Sequence, residues 1–195
     1  MSHSPVSKEK TLEIEVKLAC DNLDRLRNAG YELILEKPHH FEDNWLLDFE
    51  DESLFKQGAA LRVRMVNGHG TITYKGIVQE THASPLKVRE EIETNVSDPQ
   101  KMIELLEHLG FRRSFRYQKY RTGYRVNQDG AEFKVVLDDT PMGKFIEIEG
   151  DEASVLKALN AAAFSAEEFI RQSYPELQEE RCRARGVPLE DLVFK

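Results

Sequence analysis

The chain has 195 residues, with 27 Lys plus Arg against 35 Asp plus Glu and a formal charge of −8. That length suits one domain able to bury its own core, and the acidic balance excludes the broad basic footprint of a nucleic-acid binder, so any anion site has to be local. Charged residues make up 32% of the chain, above the usual quarter, and where they sit is the question the sequence poses.

Met1 to Lys10 is polar, and no apolar run approaches the ~20 residues that span a bilayer. Cys20 and Cys182 are far apart with no ligand-like spacing, so both read as reduced thiols. The expectation is a single cytoplasmic domain over 1–195, with a core of about 11–173, a helical tail over 174–195 and no membrane or nucleic-acid partner; oligomeric state is not readable.

Leu12 to Leu18 alternates apolar and charged residues, the period of a strand. Asp21–Gly30 then reads as a short helix carrying Leu23, Leu26 and Ala29. His39, His40 and His69 fall in loop segments without metal-ligand spacing and are expected at the surface. Phe41, Trp45 and Phe49 read as packing residues. Two more alternating runs, Leu61–Val66 and Thr71–Lys75, flank Asn67-Gly68, a hairpin signal. Gly68-x-Gly70 opens no helix and so makes no phosphate loop.

Ser97–Gly110 is a clear helix: Ser97 or Asp98 caps it, Pro99 suits the first turn, Met102, Leu105, Leu106 and Leu109 form the apolar stripe, and Gly110 ends it. A second hairpin joins Thr122–Asn127 to Ala131–Asp138 through Asp129-Gly130, and Pro141-Met142-Gly143 marks a further reversal. Asp151–Phe164 is a third capped helix, with Val155, Leu156, Leu159 and Ala162 as its apolar face. Pro175–Arg185 reads as a surface helix with its Glu and Arg residues largely solvated.

A loose internal repeat runs through these segments: a Glu-x-Glu strand, a capped helix and an aromatic just beyond it. Its members are Glu13/Glu15 with Tyr31, Glu91/Glu93 with Phe111, and Glu147/Glu149 with Phe164. Unequal spacing excludes a solenoid and leaves three strand-to-helix units of one architecture.

Residues two apart on a strand share a face, so Glu13, Glu15 and Lys17 line one side while Leu12, Ile14, Val16 and Leu18 line the other. A charged face on water would satisfy any one strand. Taken together, however, the faces are nearly pure Glu13, Glu15, Glu91, Glu93, Glu147, Glu149 and Asp138 against Lys17, Arg62, Arg64, Lys75, Arg89, Lys119, Arg121 and Arg125. Three amphipathic helices need apolar strand faces to cover, which turns the charged faces inward, and barrel closure also removes exposed edges. The fold class is therefore α+β: a closed antiparallel β-barrel with a charged interior and helices outside. Carboxylates ~4 Å apart repel by about 4 kcal/mol at an effective dielectric near 20, so an acid cluster calls for Mg²⁺ or Mn²⁺ and the bases call for a polyphosphate, a triphosphate above all.

In order along the chain, Glu13-x-Glu15-x-Lys17, Glu42-x-Asn44 with Asp48, Leu61-Arg62-Val63-Arg64, Ile72-x-Tyr74-Lys75, Arg89-x-Glu91-x-Glu93, Lys119-x-Arg121, Leu137-Asp138 and Phe145-x-Glu147-x-Glu149 resemble the CYTH family, or triphosphate tunnel metalloenzymes. The resemblance covers roughly Thr11 to Ser173 and implies an eight-stranded tunnel. It implies that Glu13, Glu15 and Glu149 hold the metal with Glu91, Glu93, Asp138 and Glu147 in support. Lys17, Arg62, Arg64, Lys75, Lys119 and Arg121 would bind phosphates; Arg89 joins them or pairs with neighbouring carboxylates.

Substrates of such proteins include tripolyphosphate, thiamine triphosphate and ATP, and the expected activity is metal-dependent triphosphate hydrolysis, with adenylyl cyclase or a non-catalytic binding module as alternatives. Turnover is expected to depend on Lys17 and Glu15. Class IV cyclases carry His-Phe where this chain has Ser7 and Lys8. Some hydrolase members carry a Tyr where this chain has Leu46 and Leu47, which leaves the general base open between Lys17 and a metal-activated water.

Overall fold

The computed structural model describes residues 12–79 and 84–195. Strand β1 (Leu12–Ala19) leads to helix α1 (Asp24–Asn28), and the long β2 (Ile34–Asp48) to the single turn α2 (Ser53–Lys56). Then follow β3 (Ala60–Val66), β4 (His69–Lys75), β5 (Lys87–Val96), α3 (Pro99–His108), β6 (Arg112–Gln128), β7 (Ala131–Thr140) and β8 (Gly143–Gly150). Helix α4 (Glu152–Ala161), the two-residue β9 (Phe169–Ile170) and α5 (Tyr174–Arg185) complete the fold.

All sheet pairings are antiparallel, in the order β5-β4-β3-β2-β6-β7-β8-β1, and β5 pairs with β1 to close eight strands into a barrel. The ninth strand lies alongside β1. Both two-residue hairpin loops form as expected: Asn67-Gly68 and Asp129-Gly130 have positive φ at both positions, the backbone that matches strand twist.

The three repeat units are real and adjacent. Strands β5, β1 and β8 are neighbours, and each runs into its own helix. The repeat also explains its aromatic. Tyr31, Phe111 and Phe164 donate their amide N–H groups to Leu26, Leu106 and Leu159 carbonyls at 3.2, 3.0 and 2.9 Å, just after left-handed Gly30, Gly110 and Ala163. This is the helix-ending geometry that satisfies otherwise unpaired carbonyls.

Helices cover two sectors of the barrel's outer surface. Val16, Leu18, Phe133, Val135, Ile146 and Ile148 pack with Leu26, Val155, Ala158 and Leu159 of α1 and α4, while Leu47 and Val63 pack with Ile103 and Leu106 of α3. Side chains two apart then point inward, which sends the alternate charged residues into the lumen.

Several sequence expectations need correction. The α3 stripe is Pro99, Met102, Ile103 and Leu106, whereas Leu105 and Leu109 are exposed; a ten-residue helix meets the barrel along a narrower strip than the string of leucines suggested. His39 and His40 lie on β2, not in a loop, and His69 begins β4. The C-terminal helix is not merely a solvated surface element. Tyr174, Gln178 and Cys182 are buried along one face, and Leu192 beyond it exchanges backbone hydrogen bonds with Arg116 and Gln118 of β6. Tyr174 joins Phe115, Tyr117, Phe145 and Leu192 in an apolar cluster at one end of the barrel.

Candidate functional site

The lumen is a cavity of about 920 Å³ lined by charged residues from every barrel strand. On β1, Glu13, Glu15 and Lys17 face inward. Antiparallel register sets Glu13 opposite Arg89, Glu15 opposite Lys87 and Glu149, and Lys17 opposite Glu147, so neighbouring β5 and β8 complete an acidic wall.

Ion pairs span that wall. Glu13 accepts from Lys75 Nζ at 2.7 Å and from Arg89 Nε at 3.1 Å; Arg89 Nη2 also donates to Glu15 at 3.2 Å. Lys75 lies 2.5 Å from Glu91, and Glu93 accepts from Thr73 at 2.7 Å and Arg62 at 3.4 Å. Arg89 thus sits as an ion-pair partner of the acid cluster. Glu149 differs from its neighbours: among the described residues it has no hydrogen bond or ion pair, and burial together with the Glu13 and Glu91 charges raises its pKa despite Lys134.

The opposite wall is basic. Glu42 of β2 lies across from Lys119 of β6, Asn44 across from Arg64 of β3, and Arg62 across from Thr73 of β4. Lys119 and Arg121 share Asp138, at 2.8 Å and 2.6 Å, and the Tyr174 hydroxyl donates to the same carboxylate at 2.7 Å. Asp138 is completely buried and lies behind the wall, its oxygens used by these groups. Arg121 also holds Glu147 at 2.5 Å, and Lys17 lies 3.5 Å from it. Burial opposes ionisation of Glu147, but Arg121, Lys119 and Lys17 keep its carboxyl well below the usual range. Arg125 is exposed outside this set.

Sequence reasoning missed several lumen residues, among them Glu42, Lys87, Lys134, Tyr117 and Tyr174. Glu42 was read only as part of a motif; it is buried with Arg64 Nε at 3.3 Å and Lys119 Nζ at 3.6 Å, and Arg64, Lys119 and Arg121 hold it ionised against its burial. The Tyr117 hydroxyl faces Arg62 at 3.4 Å, its pKa lowered by Arg62, Lys119 and Arg64 despite burial. The Tyr174 ring lies 4.3 Å beneath Lys17 Nζ, whose ammonium donates to the Gln172 carbonyl at 2.9 Å. Lys87 is pushed down to about 8 by burial and by Arg89. Glu42 and Lys87 keep the alternation that marks inward positions, the only signal available; Tyr117 and Tyr174 resemble core aromatics. Asp48 accepts from the amides of Leu54 and Phe55 and caps α2 at one mouth of the tunnel.

Among the described residues, no three His, Cys, Asp or Glu side chains are already drawn together as metal ligands. The donor set nonetheless fits a hard divalent cation, which takes one or two carboxylates together with phosphate oxygens and waters. Glu149, with no hydrogen bond or ion pair among the described residues, opposite Glu15 and repelled by Glu13, is the observation that makes the fit. On the basic side, Arg62 Nε is buried without a hydrogen-bond partner among the described residues, a donor suited to an anion.

The fold agrees with what known proteins show. The CYTH domain profile matches residues 11–177. The chain belongs to the CYTH family. Its members are adenylyl cyclases or triphosphatases, enzymes that process triphosphates in a tunnel fold and in general depend on divalent metals. A Methanocaldococcus jannaschii protein named as a candidate adenylate cyclase is 28% identical over 185 residues, covering 86% of this chain and 98% of the relative. Among solved structures, a Pyrococcus horikoshii protein superposes with TM-score 0.66 at 27% identity, covering 87% and 99% of the two chains. A Hippeastrum protein whose structure is described as revealing a dominant triphosphatase activity superposes with TM-score 0.59 at 20% identity over 92% and 99%. Among the described residues, no helix of this CYTH chain is long and apolar enough to cross a membrane.

Proposed function

We propose that this CYTH protein hydrolyses a triphosphate, inorganic or organic, in the presence of Mg²⁺ or Mn²⁺. The observation that carries the reading is the division of one lumen into a wall of cations backed by buried counter-ions and a wall of carboxylates that includes Glu149, which has no hydrogen bond or ion pair among the described residues. Arg62 and Arg64 on β3 and Lys119 and Arg121 on β6, the two strands that flank β2, line one lumen where successive phosphates of one triphosphate would fit, and guanidinium forks bind phosphate oxygens bidentately. Lys17, Lys75 and Arg89 reach the same space from the acidic side.

Glu13, Glu15 and Glu149 would hold the metal, with Glu91, Glu93 and Glu147 beside them, and a bound ion would supply charge neutralisation to the phosphates. Asp138 acts from behind by fixing Lys119 and Arg121. With phosphates held between the walls, water attacks the terminal phosphorus in line. The cationic wall stabilises the charge that develops on the phosphoryl oxygens and the leaving group. Lys17, held by Gln172, Glu147 and the Tyr174 ring, directs its ammonium at the lumen.

A second reading, adenylyl cyclase, is favoured by the name of the Methanocaldococcus relative. Against it stand Ser7 and Lys8 in place of the cyclase His-Phe pair; both positions lie outside the described residues. Incubation with tripolyphosphate, thiamine triphosphate and ATP, with Mg²⁺ or Mn²⁺, decides the matter. Orthophosphate release is the expected result. Cyclic AMP with pyrophosphate as the main product from ATP would establish the cyclase instead, and binding without turnover would establish a binding module.

A further inference from the structure

Strand β2 carries an irregularity beside the basic wall. Lys37 pairs with Gly123 and His40 with Arg121, so three steps on β2 match two on β6. Pro38, which has no N–H for the ladder, occupies the bulge, the position a sheet allows it. The bulge turns the His40 ring back on its own strand: Nδ1 lies 2.8 Å from the Pro38 carbonyl oxygen and Nε2 lies 3.3 Å from Glu42 Oε1. Both of those partners only accept hydrogen bonds, so the ring meets both as a donor only when it carries two protons.

The other oxygen of Glu42 stands 3.3 Å from Arg64 Nε and 3.6 Å from Lys119 Nζ, and it forms no hydrogen bond of good geometry among the described residues. Glu42 therefore separates the two cations while the histidine ring engages its far side. The charged groups facing His40 are Glu42 on its own strand and Arg121 on β6; Arg64 on β3 and Lys119 on β6 reach it through Glu42.

We infer that the doubly protonated His40 is a positioning residue of the phosphate wall, pinning Glu42 so that Arg64 and Lys119 stay spaced for neighbouring phosphates of a triphosphate. The inference rests on the triphosphate reading above. When the ring keeps only one proton, the shorter contact, 2.8 Å to the Pro38 carbonyl against 3.3 Å to Glu42, places it on Nδ1 and leaves a lone pair facing the Glu42 carboxylate. Glu42 then leans further onto Arg64 and Lys119, and the wall also loses one positive charge. The Glu42 hydrogen bond raises the pKa of His40, against partial burial and Arg121. The protonated, tighter-binding form therefore persists above the ordinary histidine range near ~6.5, and affinity falls as pH rises through the raised value.

Calorimetric titration of inorganic tripolyphosphate in chelator, from about pH 6 to about pH 9, tests this in the wild type and in His40→Gln, which keeps a donor but cannot titrate. The wild-type affinity should fall about tenfold more than that of the variant across the range, a ratio that cancels the ligand's own titration. Proton NMR of His40 in the wild type supplies a second readout, because by linkage its pKa has to rise when tripolyphosphate binds. Parallel pH profiles in the two proteins, or a His40 titration unmoved by tripolyphosphate, would overturn the role of His40 alone. A wild type that binds no tripolyphosphate at any pH would overturn the triphosphate reading and this inference with it.

Discussion

The two walls of the lumen hold their charges in different ways. On the basic wall, Lys119 and Arg121 are anchored from behind by a fully buried Asp138 and by the Tyr174 hydroxyl, while Glu42 and Tyr117 stand among Arg62, Arg64 and Lys119. On the acidic wall, Lys75 and Arg89 bridge Glu13, Glu15 and Glu91, and Glu149 has no ion pair among the described residues, with burial and the Glu13 and Glu91 charges outweighing Lys134 across the ladder. One wall is preassembled to receive phosphate oxygens, since oriented charges need no rearrangement when the ligand arrives. The other retains a negative excess that a cation would relieve. The asymmetry links fold to chemistry: three adjacent repeat strands supply the acids, and β3 and β6, on either side of β2, supply Arg62, Arg64, Lys119 and Arg121 of the basic side.

The sharpest way to break this contrast is to remove the anchor behind the basic wall. Asp138→Asn leaves Lys119 and Arg121 buried without their shared counter-charge, and breaking such a pair costs about 3–5 kcal/mol. Denaturant unfolding should show a loss of that size; a loss below about 1 kcal/mol would mean that the wall is not assembled through Asp138. The next effect is on binding. Arg64→Ala should weaken tripolyphosphate by about tenfold or more, the scale of a lost charge-assisted contact, and orthophosphate much less. Equal losses for the two ligands, measured by calorimetry, would contradict recognition of successive phosphates.

Much of this fold is visible in the sequence because lumen and outer surface impose opposite chemistry on alternate residues. Leu12 to Leu18 shows both faces in one strand, and the hairpin pairs Asn67-Gly68 and Asp129-Gly130 declare their backbone. Strand β2 hides, since Pro38 and the bulge interrupt its alternation; for that reason His40 looks like a loop residue and Glu42 like an isolated acid. Helix α5 is legible as Pro175–Arg185, but its buried face hides for another reason. Its buried face is Tyr174, Gln178 and Cys182, too polar to register as an apolar stripe, so Tyr174 at the tunnel end has no sequence signal of its own.

In α3 the leucines mislead in the other direction, and exposed Leu105 gives the smallest predicted effect. Leu106→Ala should cost about 2–5 kcal/mol, as large-to-small changes in a core do, whereas exposed Leu105→Ala should stay within about 0.5 kcal/mol. Comparable losses in thermal or denaturant unfolding would mean that α3 meets the barrel on a different face.

The central claim is that acids from separate strands converge in the lumen to serve a cation. The measurement that tests it most directly is phosphate release from tripolyphosphate, followed across a Mg²⁺ and a Mn²⁺ titration, in the wild type and in Glu15→Gln with its fold checked by circular dichroism. The account predicts metal-dependent release by the wild type and a folded variant whose release falls at least about a hundredfold at every metal concentration. A folded Glu15→Gln protein that keeps wild-type turnover and the same metal dependence would contradict it.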